Sequence, residues 1–254
     1  MFHLSYKKQD SLDSFKRFDP NNWDELKERI NCKVINKKLF DAQDKDNVIH
    51  TNVADITTVF TVSEVDKKRE SINFYELTEE DLERLGKTKN DIIKEAENNI
   101  KYNEERRIIT LKQEHVSKDS LYPLLKVPEN AFMGVDSGLV IQDTDKDKDN
   151  ILIVSNKYSV FGASYMLDFK TLREIKERMQ SDFYIIPMSV HQLMCVSSNY
   201  ITKDKPMREA EDDLLDMLFR INSENKKAED ILSNKIYKYL SDDGEILLPI
   251  KQRL

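Results

Sequence analysis

Apolar residues fall in short blocks set apart by charged runs, and the blocks repeat at two spacings. The helical spacing comes with end signals. Behind Asn22, a capping residue, Trp23, Leu26 and Ile30 share one face at i, i+3 and i+7. Thr78-Glu79-Glu80-Asp81 reads as a capping box with Asp in place of the usual Glu. Leu82 and Leu85 follow it, and Gly86 is placed to end that helix in the left-handed conformation. Thr88-Lys89-Asn90-Asp91 repeats the start signal before Ile92, Ile93, Ala96 and Ile100. Further on, Asp168 precedes Phe169, Leu172, Ile175 and Met179, again one face of a helix. A helix from about Pro206 to Asn222 carries Ala210, Leu214, Leu218 and Ile221. One more helical turn fits Ala228–Leu232.

The other blocks read as strands. Asn52–Val62 and Ser71–Tyr75, joined by the polar loop Asp66–Glu70, predict an antiparallel pair. Ile108–Leu111 is a further short strand. Leu121–Leu125 and Ala131–Met133 lead into Gly138–Ile141, and the acidic run Asp143–Asn150 then turns the chain into Ile151–Val154, predicting a hairpin. Tyr158–Met166 reads as another strand, as do Asp182–Ile186, stopped by Pro187, and Leu193–Val196. Lys235–Leu240 and Glu245–Pro249 form a terminal hairpin about Ser241–Gly244. This order of elements predicts an α+β protein: a mostly antiparallel sheet with the 169–179 and 206–222 helices packed on one face. The polar stretch 101–120 divides it into two lobes, residues 1–112 and 113–254.

Composition narrows the chemistry. Five glycines in 254 residues leave no pair at the spacing of a dinucleotide turn or a P-loop, so the familiar nucleotide folds are excluded. The net charge of −7 disfavours nucleic acid and anionic lipid as partners. The densest basic run, Lys67-Lys68-Arg69, sits between Asp66 and Glu70 and reads as a solvated loop. Cys32 and Cys195 lie far apart and read as free thiols of a reducing compartment. No apolar run approaches membrane-spanning length, and residues 1–8 lack the apolar region of a signal peptide, so the expected location is the cytoplasm.

Several constellations invite a chemical reading. Asp143, Asp145 and Asp147 alternate as in a calcium loop, but Lys148 and Val154 stand where such a loop needs Gly and Glu, so a solvated turn is expected. Gly162-Ala163-Ser164 begins like a nucleophile elbow, but Met166 replaces the second glycine. His3, His50, His115 and His191 show no metal-ligand spacing, and Glu211, Asp212, Asp213 and Asp216 read as a solvated helix start. No metal or cofactor is expected. Pro187-Met188-Ser189-Val190-His191-Gln192 stands out: the Ser-x-His spacing puts a hydroxyl and an imidazole on one side of an extended segment.

The stretch Asp182–His191 resembles the signature "FYILPSSIHE" of DUF5688, a family of uncharacterised bacterial proteins. Gly162-Ala163-Ser164 with Met166-Leu167, the helix Glu211–Asn222 (the family's "MVxEVN") and Leu232–Tyr239 ("LSdxvYxYd") are similar in order and spacing. The likeness runs more faintly back to Asn52. Met188 stands where the family commonly has Ser, and Gln192 where it commonly has Glu, so any Ser–His–Glu trio lacks its acid here. The resemblance implies kinship and a fold but no established activity. The leading expectation is a non-enzymatic binding or regulatory module with a protein partner, contacted through Pro187, Ser189, His191 and Gln192. The alternatives are a hydrolase using Ser189 and His191 and, behind it, a nucleic-acid-associated protein.

Overall fold

A computed structural model of the chain describes residues 5–15, 18–43, 45, 47–66, 71–101, 106–110, 150–156, 158, 160–224, 227–240 and 246–249. The chain forms two compact units, Phe2–Glu104 and Glu105–Leu254. Its class is α+β, as the sequence predicts.

The first unit runs β1 (Ser5–Lys8), α1 (Trp23–Leu26), β2 (Ile30–Asn36), α2 (Lys37–Asp41), β3 (His50–Val53), β4 (Ile56–Asp66), β5 (Ser71–Glu76), α3 (Glu79–Leu85) and α4 (Lys89–Lys101). The expected antiparallel pair is β4 with β5, in the order β1-β5-β4-β2. The long strand β4 serves two neighbours on one edge. Its start pairs with β3 and its end with β5. At the changeover the Phe60 N–H donates to Ile49, Ile49 to Leu77 and Leu77 to Phe60, so every backbone group at the junction is used. The helix expected from Asn22 to Ile30 is shorter than its spacing implies. Asn22 caps it, the α-helix gives way after Leu26 to a 3-10 turn over Lys27–Arg29, and Ile30 opens β2 instead. Ile30, Cys32 and Val34 alternate into the core as β2 pairs along β4, and that ladder outweighs one more helical turn.

The helix punctuation of this unit holds in detail. Thr78 and Asp81 form both halves of a capping box, and the Tyr75 hydroxyl also donates to Asp81. Gly86 takes φ of 60°, and Thr88 and Asp91 repeat the reciprocal pair at the start of α4.

The second unit runs β6 (Arg106–Thr110), β7 (Ile151–Asn156), α5 (Phe169–Met179), β8 (Phe183–Ser189), β9 (Gln192–Ser197), α6 (Ser198–Ile201), α7 (Met207–Glu224), β10 (Tyr237–Leu240) and β11 (Ile246–Pro249). Its sheet, ordered β11-β10-β8-β9-β7-β6, is antiparallel at every pairing described. The α7 face of Ala210, Leu214, Met217, Leu218 and Ile221 packs on Ile151, Ile153, Tyr184, Ile186, Met194 and Val196. The alternate residues Leu152, Val154, Phe183, Ile185, Leu193 and Cys195 are buried too, so both faces of the central strands are shielded from water. Asp168 caps α5 by accepting from the Lys170 and Thr171 N–H groups. Phe169, expected on the buried face of α5, is exposed instead; at the first helical position it lies one turn before the buried stripe of Leu172, Ile175 and Met179.

Two other expectations change. Tyr158–Met166 is not a strand: Gly162–Leu167 forms a 3-10 helix. The hairpin partner expected for Ile151–Val154, together with Leu121–Met133, Gly138–Ile141 and the acidic turn before Asn150, lies outside the described residues, and both edges of β7 are taken by β6 and β9. Pro187 does not stop its strand. β10 pairs only with Phe183–Ile185, so Pro187 lies beyond that ladder, where its missing N–H leaves no gap, and β8 continues to Ser189 across an irregularity at Met188. Among the described residues, no helix is long and apolar enough to cross a membrane.

Candidate functional site

The Ser-x-His segment is the turn of the β8–β9 hairpin. Ser189 pairs with Gln192, and Val190 and His191 make the connection. The Ser189 hydroxyl accepts from the His191 N–H at 3.1 Å, a local bond that closes the turn. Pro187 and Val190 are buried, while Ser189, His191 and Gln192 are half-buried.

Three distant pieces of chain fasten this turn. The first is the end of β7, where the Ser155 hydroxyl donates to the His191 carbonyl at 2.8 Å. The second is the strap that follows β7. Asn156 accepts from the Tyr158 and Val160 N–H groups and donates to the Val160 carbonyl, which curls the chain back. Phe161 then adopts φ of 56°, a left-handed conformation that is strained for an aromatic residue. That strain sets the Phe161 N–H 3.0 Å from His191 Nδ1 and the Ala163 N–H 3.3 Å from the Val190 carbonyl. The Phe161 ring lies against the imidazole at 5.6 Å between centroids. The third piece is the turn before Leu232, where the Asp230 carbonyl accepts from the Val190 N–H and the Asp230 carboxylate sits 3.4 Å from His191 Nε2.

The Phe161 contact fixes the imidazole tautomer. Nδ1 accepts a backbone N–H, so in the neutral ring the proton resides on Nε2 and points to Asp230. The hydrogen bond from His191 holds the Asp230 carboxyl below the usual carboxylate range, against the opposing effect of burial. A general base that activates a serine needs an open ring nitrogen facing the hydroxyl, with the orienting carboxylate on the other. In this turn a main-chain N–H and a carboxylate hold the two nitrogens, and the Ser189 oxygen accepts from the turn's own backbone.

Gly162 explains why the strap lies so close. A Cβ on it would meet Ser155 Oγ at 2.5 Å, the His191 carbonyl at 2.6 Å and Ser155 Cα at 2.7 Å. The glycine therefore permits backbone contact between the strap, β7 and the hairpin turn. Ser164, the would-be elbow nucleophile, is buried and donates to the Phe161 carbonyl at 2.9 Å.

The other sequence candidates disperse. Glu211 accepts from the Tyr184 hydroxyl at 2.8 Å, Asp213 pairs with Lys205, and Asp212 and Asp216 are exposed. Both cysteines are free and buried; burial first, then the Glu97 charge, pushes the Cys32 thiol up to about 12, and burial raises Cys195 as well. Neither is a thiolate nucleophile near neutrality. Sequence reasoning missed Ser155, Phe161 and Asp230. Gly162 was the one local signal, since a glycine outside any turn pattern marks close backbone approach. Asp230 carries no such mark.

The chain belongs to the family of unknown function DUF5688, whose model matches residues 3–241. Compared with curated proteins and with solved structures, the chain matches none.

Proposed function

We propose that the chain is a non-enzymatic binding module that acts in the cytoplasm through a protein partner, engaged at the Pro187–Gln192 turn. The observation that carries this reading is the commitment of His191: both ring nitrogens serve internal contacts, to Phe161 and to Asp230. Groups spent on fixing a turn favour presentation over chemistry. A pinned turn also enters a complex with little ordering cost. Its water-facing parts are the half-buried Phe161, Met188, Ser189, His191 and Gln192. The test is partner capture from the native cytoplasm with wild type and Gln192→Arg, the unfolding midpoint being measured alongside. A specific co-purifying partner lost on Gln192→Arg at an unchanged midpoint is the expected result. An identical partner profile overturns the assignment.

The hydrolase alternative has one observation in its favour, the Asp230 carboxylate 3.4 Å from His191. It requires His191 Nδ1 to release the Phe161 N–H and turn to a hydroxyl. Ester or amide turnover that is abolished by Ser189→Ala would establish it in place of the binding reading.

A further inference from the structure

An imidazole ties the strap after β7 to the β8–β9 turn, and imidazole is the side chain whose charge ordinarily changes between about pH 5 and 8. His191 Nδ1 accepts the Phe161 N–H at 3.0 Å. That bond uses the Nδ1 lone pair, so it exists only while Nδ1 carries no proton. The imidazolium has a proton on each nitrogen, whatever else touches the ring. Two N–H groups then face each other at Phe161, and the bond is lost. A flip of the charged ring does not restore it, because a flip offers Phe161 a C–H.

The backbone here is set to respond through one peptide group. The Val160–Phe161 peptide gives its N–H to His191, and its carbonyl accepts from Asn156 Nδ2 at 2.7 Å. Its two ends are anchored separately. The Val160 N–H donates to Asn156 Oδ1, and the Phe161 carbonyl accepts from the Ser164 N–H and hydroxyl. The Ala163–Val190 and Ser155–His191 carbonyl bonds hold the strap and β7 to the turn. None of these anchors titrates. Rotation of the one peptide takes Phe161 out of its left-handed φ of 56°, which relieves backbone strain once His191 lets go.

The charged groups around the ring pull in different directions. The Asp230 carboxylate, 3.4 Å from Nε2, favours the charged ring, and the Phe161 N–H favours the neutral one. Beyond Asp230, Lys227 and Glu229 pair at 3.9 Å. On β6, Arg107 stands opposite Ser155. Ser155, Asn156, Ser189 and Gln192, from β7 and the hairpin, carry no charge. Lysine and arginine ordinarily stay charged between about pH 5 and 8. These groups influence the pH at which the ring gains its proton, and none of them returns an acceptor to Nδ1.

We propose that His191 is a pH-sensitive latch: protonation of its ring detaches the Val160–Phe161 peptide and loosens the β8–β9 turn. The neutral ring presents a pinned turn and the charged ring a looser one. As regulation of partner binding this rests on the hairpin reading, whereas the latch itself is a property of the chain alone.

The test is nuclear magnetic resonance of the isotope-labelled full chain from about pH 8 to about pH 5, with far-ultraviolet dichroism as the check on folding. A scalar coupling between the Phe161 nitrogen and Nδ1 is expected at the upper end. It should vanish as Nδ1 gains its proton, and the Phe161 amide and Asn156 side-chain shifts should follow the same curve. Protection of the Phe161 amide, corrected for intrinsic exchange, should fall about tenfold across the step. His191→Asn sets an amide oxygen near the position of Nδ1, so it should keep the bond throughout and show no step. Asp230→Asn should move the step to lower pH. A Phe161 amide whose shift and protection do not follow protonation of the ring overturns the proposal. So does a step that persists in folded His191→Asn. Neither result touches partner capture at neutral pH, so failure of the latch and failure of the hairpin reading are distinguishable.

Discussion

Replacing Gly162 by Ala tests the architecture of the hairpin clamp. The added methyl carbon would lie 2.5 Å from Ser155 Oγ, 2.6 Å from the His191 carbonyl oxygen and 2.7 Å from Ser155 Cα. Two of these three atoms are backbone, so a rotamer change at Ser155 cannot make room. β7 and the turn must separate, and the Ser155–His191 and Ala163–Val190 bonds lengthen. Overpacking costs about 1–3 kcal/mol. Two weakened hydrogen bonds add about 1 kcal/mol. The stiffer unfolded chain returns about 0.4–1 kcal/mol. The net is a loss of about 2–3 kcal/mol, which lowers the midpoint of a unit this size by about 5–10 °C. The single tryptophan, Trp23, lies in the other unit, so near-UV dichroism of tyrosine or hydrogen exchange at Ala163 and Val190 is the suitable readout. The double variant Gly162→Ala with Ser155→Ala should stay destabilised, because the carbonyl and Cα clashes remain. A Gly162→Ala protein within about 0.5 kcal/mol of wild type, or full rescue by Ser155→Ala, would refute the close-contact argument.

Glu76 makes the first unit sensitive to acid. Burial alone would raise its carboxyl, but the Lys33, Lys8 and Lys45 ammoniums outweigh burial and hold it at about 2, against an ordinary 4.5. A depressed carboxyl stabilises fully above the unfolded value, and the contribution is lost as pH falls from about 4.5 towards 2. Trp23 fluorescence in urea at stepped pH should show that loss, and Glu76→Gln should flatten it while costing about 3 kcal/mol at neutral pH, at the low end of such losses because Lys8 is half in water. Asp168→Ala should cost about 1–2 kcal/mol in denaturant titrations, since Asp168 accepts from the Lys170 and Thr171 N–H groups and the Thr171 hydroxyl; a loss under a few tenths would deny it the capping role.

The capping residues were legible because their bonds close within three residues. Thr78 with Asp81, Thr88 with Asp91, and Asp168 with Thr171 each answer a neighbour in sequence, whatever the rest of the chain does. The strands β4, β5, β7, β8 and β9 were legible for a related reason: β-branched and aromatic runs bounded by polar turns fit a buried pleat. Strand β2 was missed although Ile30, Cys32 and Val34 alternate, because the helical spacing from Trp23 to Ile30 competes for the same residues. The sheet partner settled that competition. Tyr158–Met166 misled in the opposite sense, since its apolar residues pack as a 3-10 strap folded onto the hairpin.

The candidate site divides along the same line. Ser189 and His191 stand two apart, so their association in a turn follows from the chain itself. What His191 does there depends on Phe161 and Asp230, which are brought to its two nitrogens by separate connections of the fold. Glu76 gathers its lysines from β1, β2 and the segment after α2 in the same way. Helix ends, strand stretches and the α+β class came from residues acting on near neighbours, where spacing alone specifies the contact. Sheet order, the locked imidazole and the gathering of three lysines at Glu76 came from residues far apart in the chain. Side-chain pairing across a sheet is specified by register, and register is settled when all the strands compete for the same edges at once.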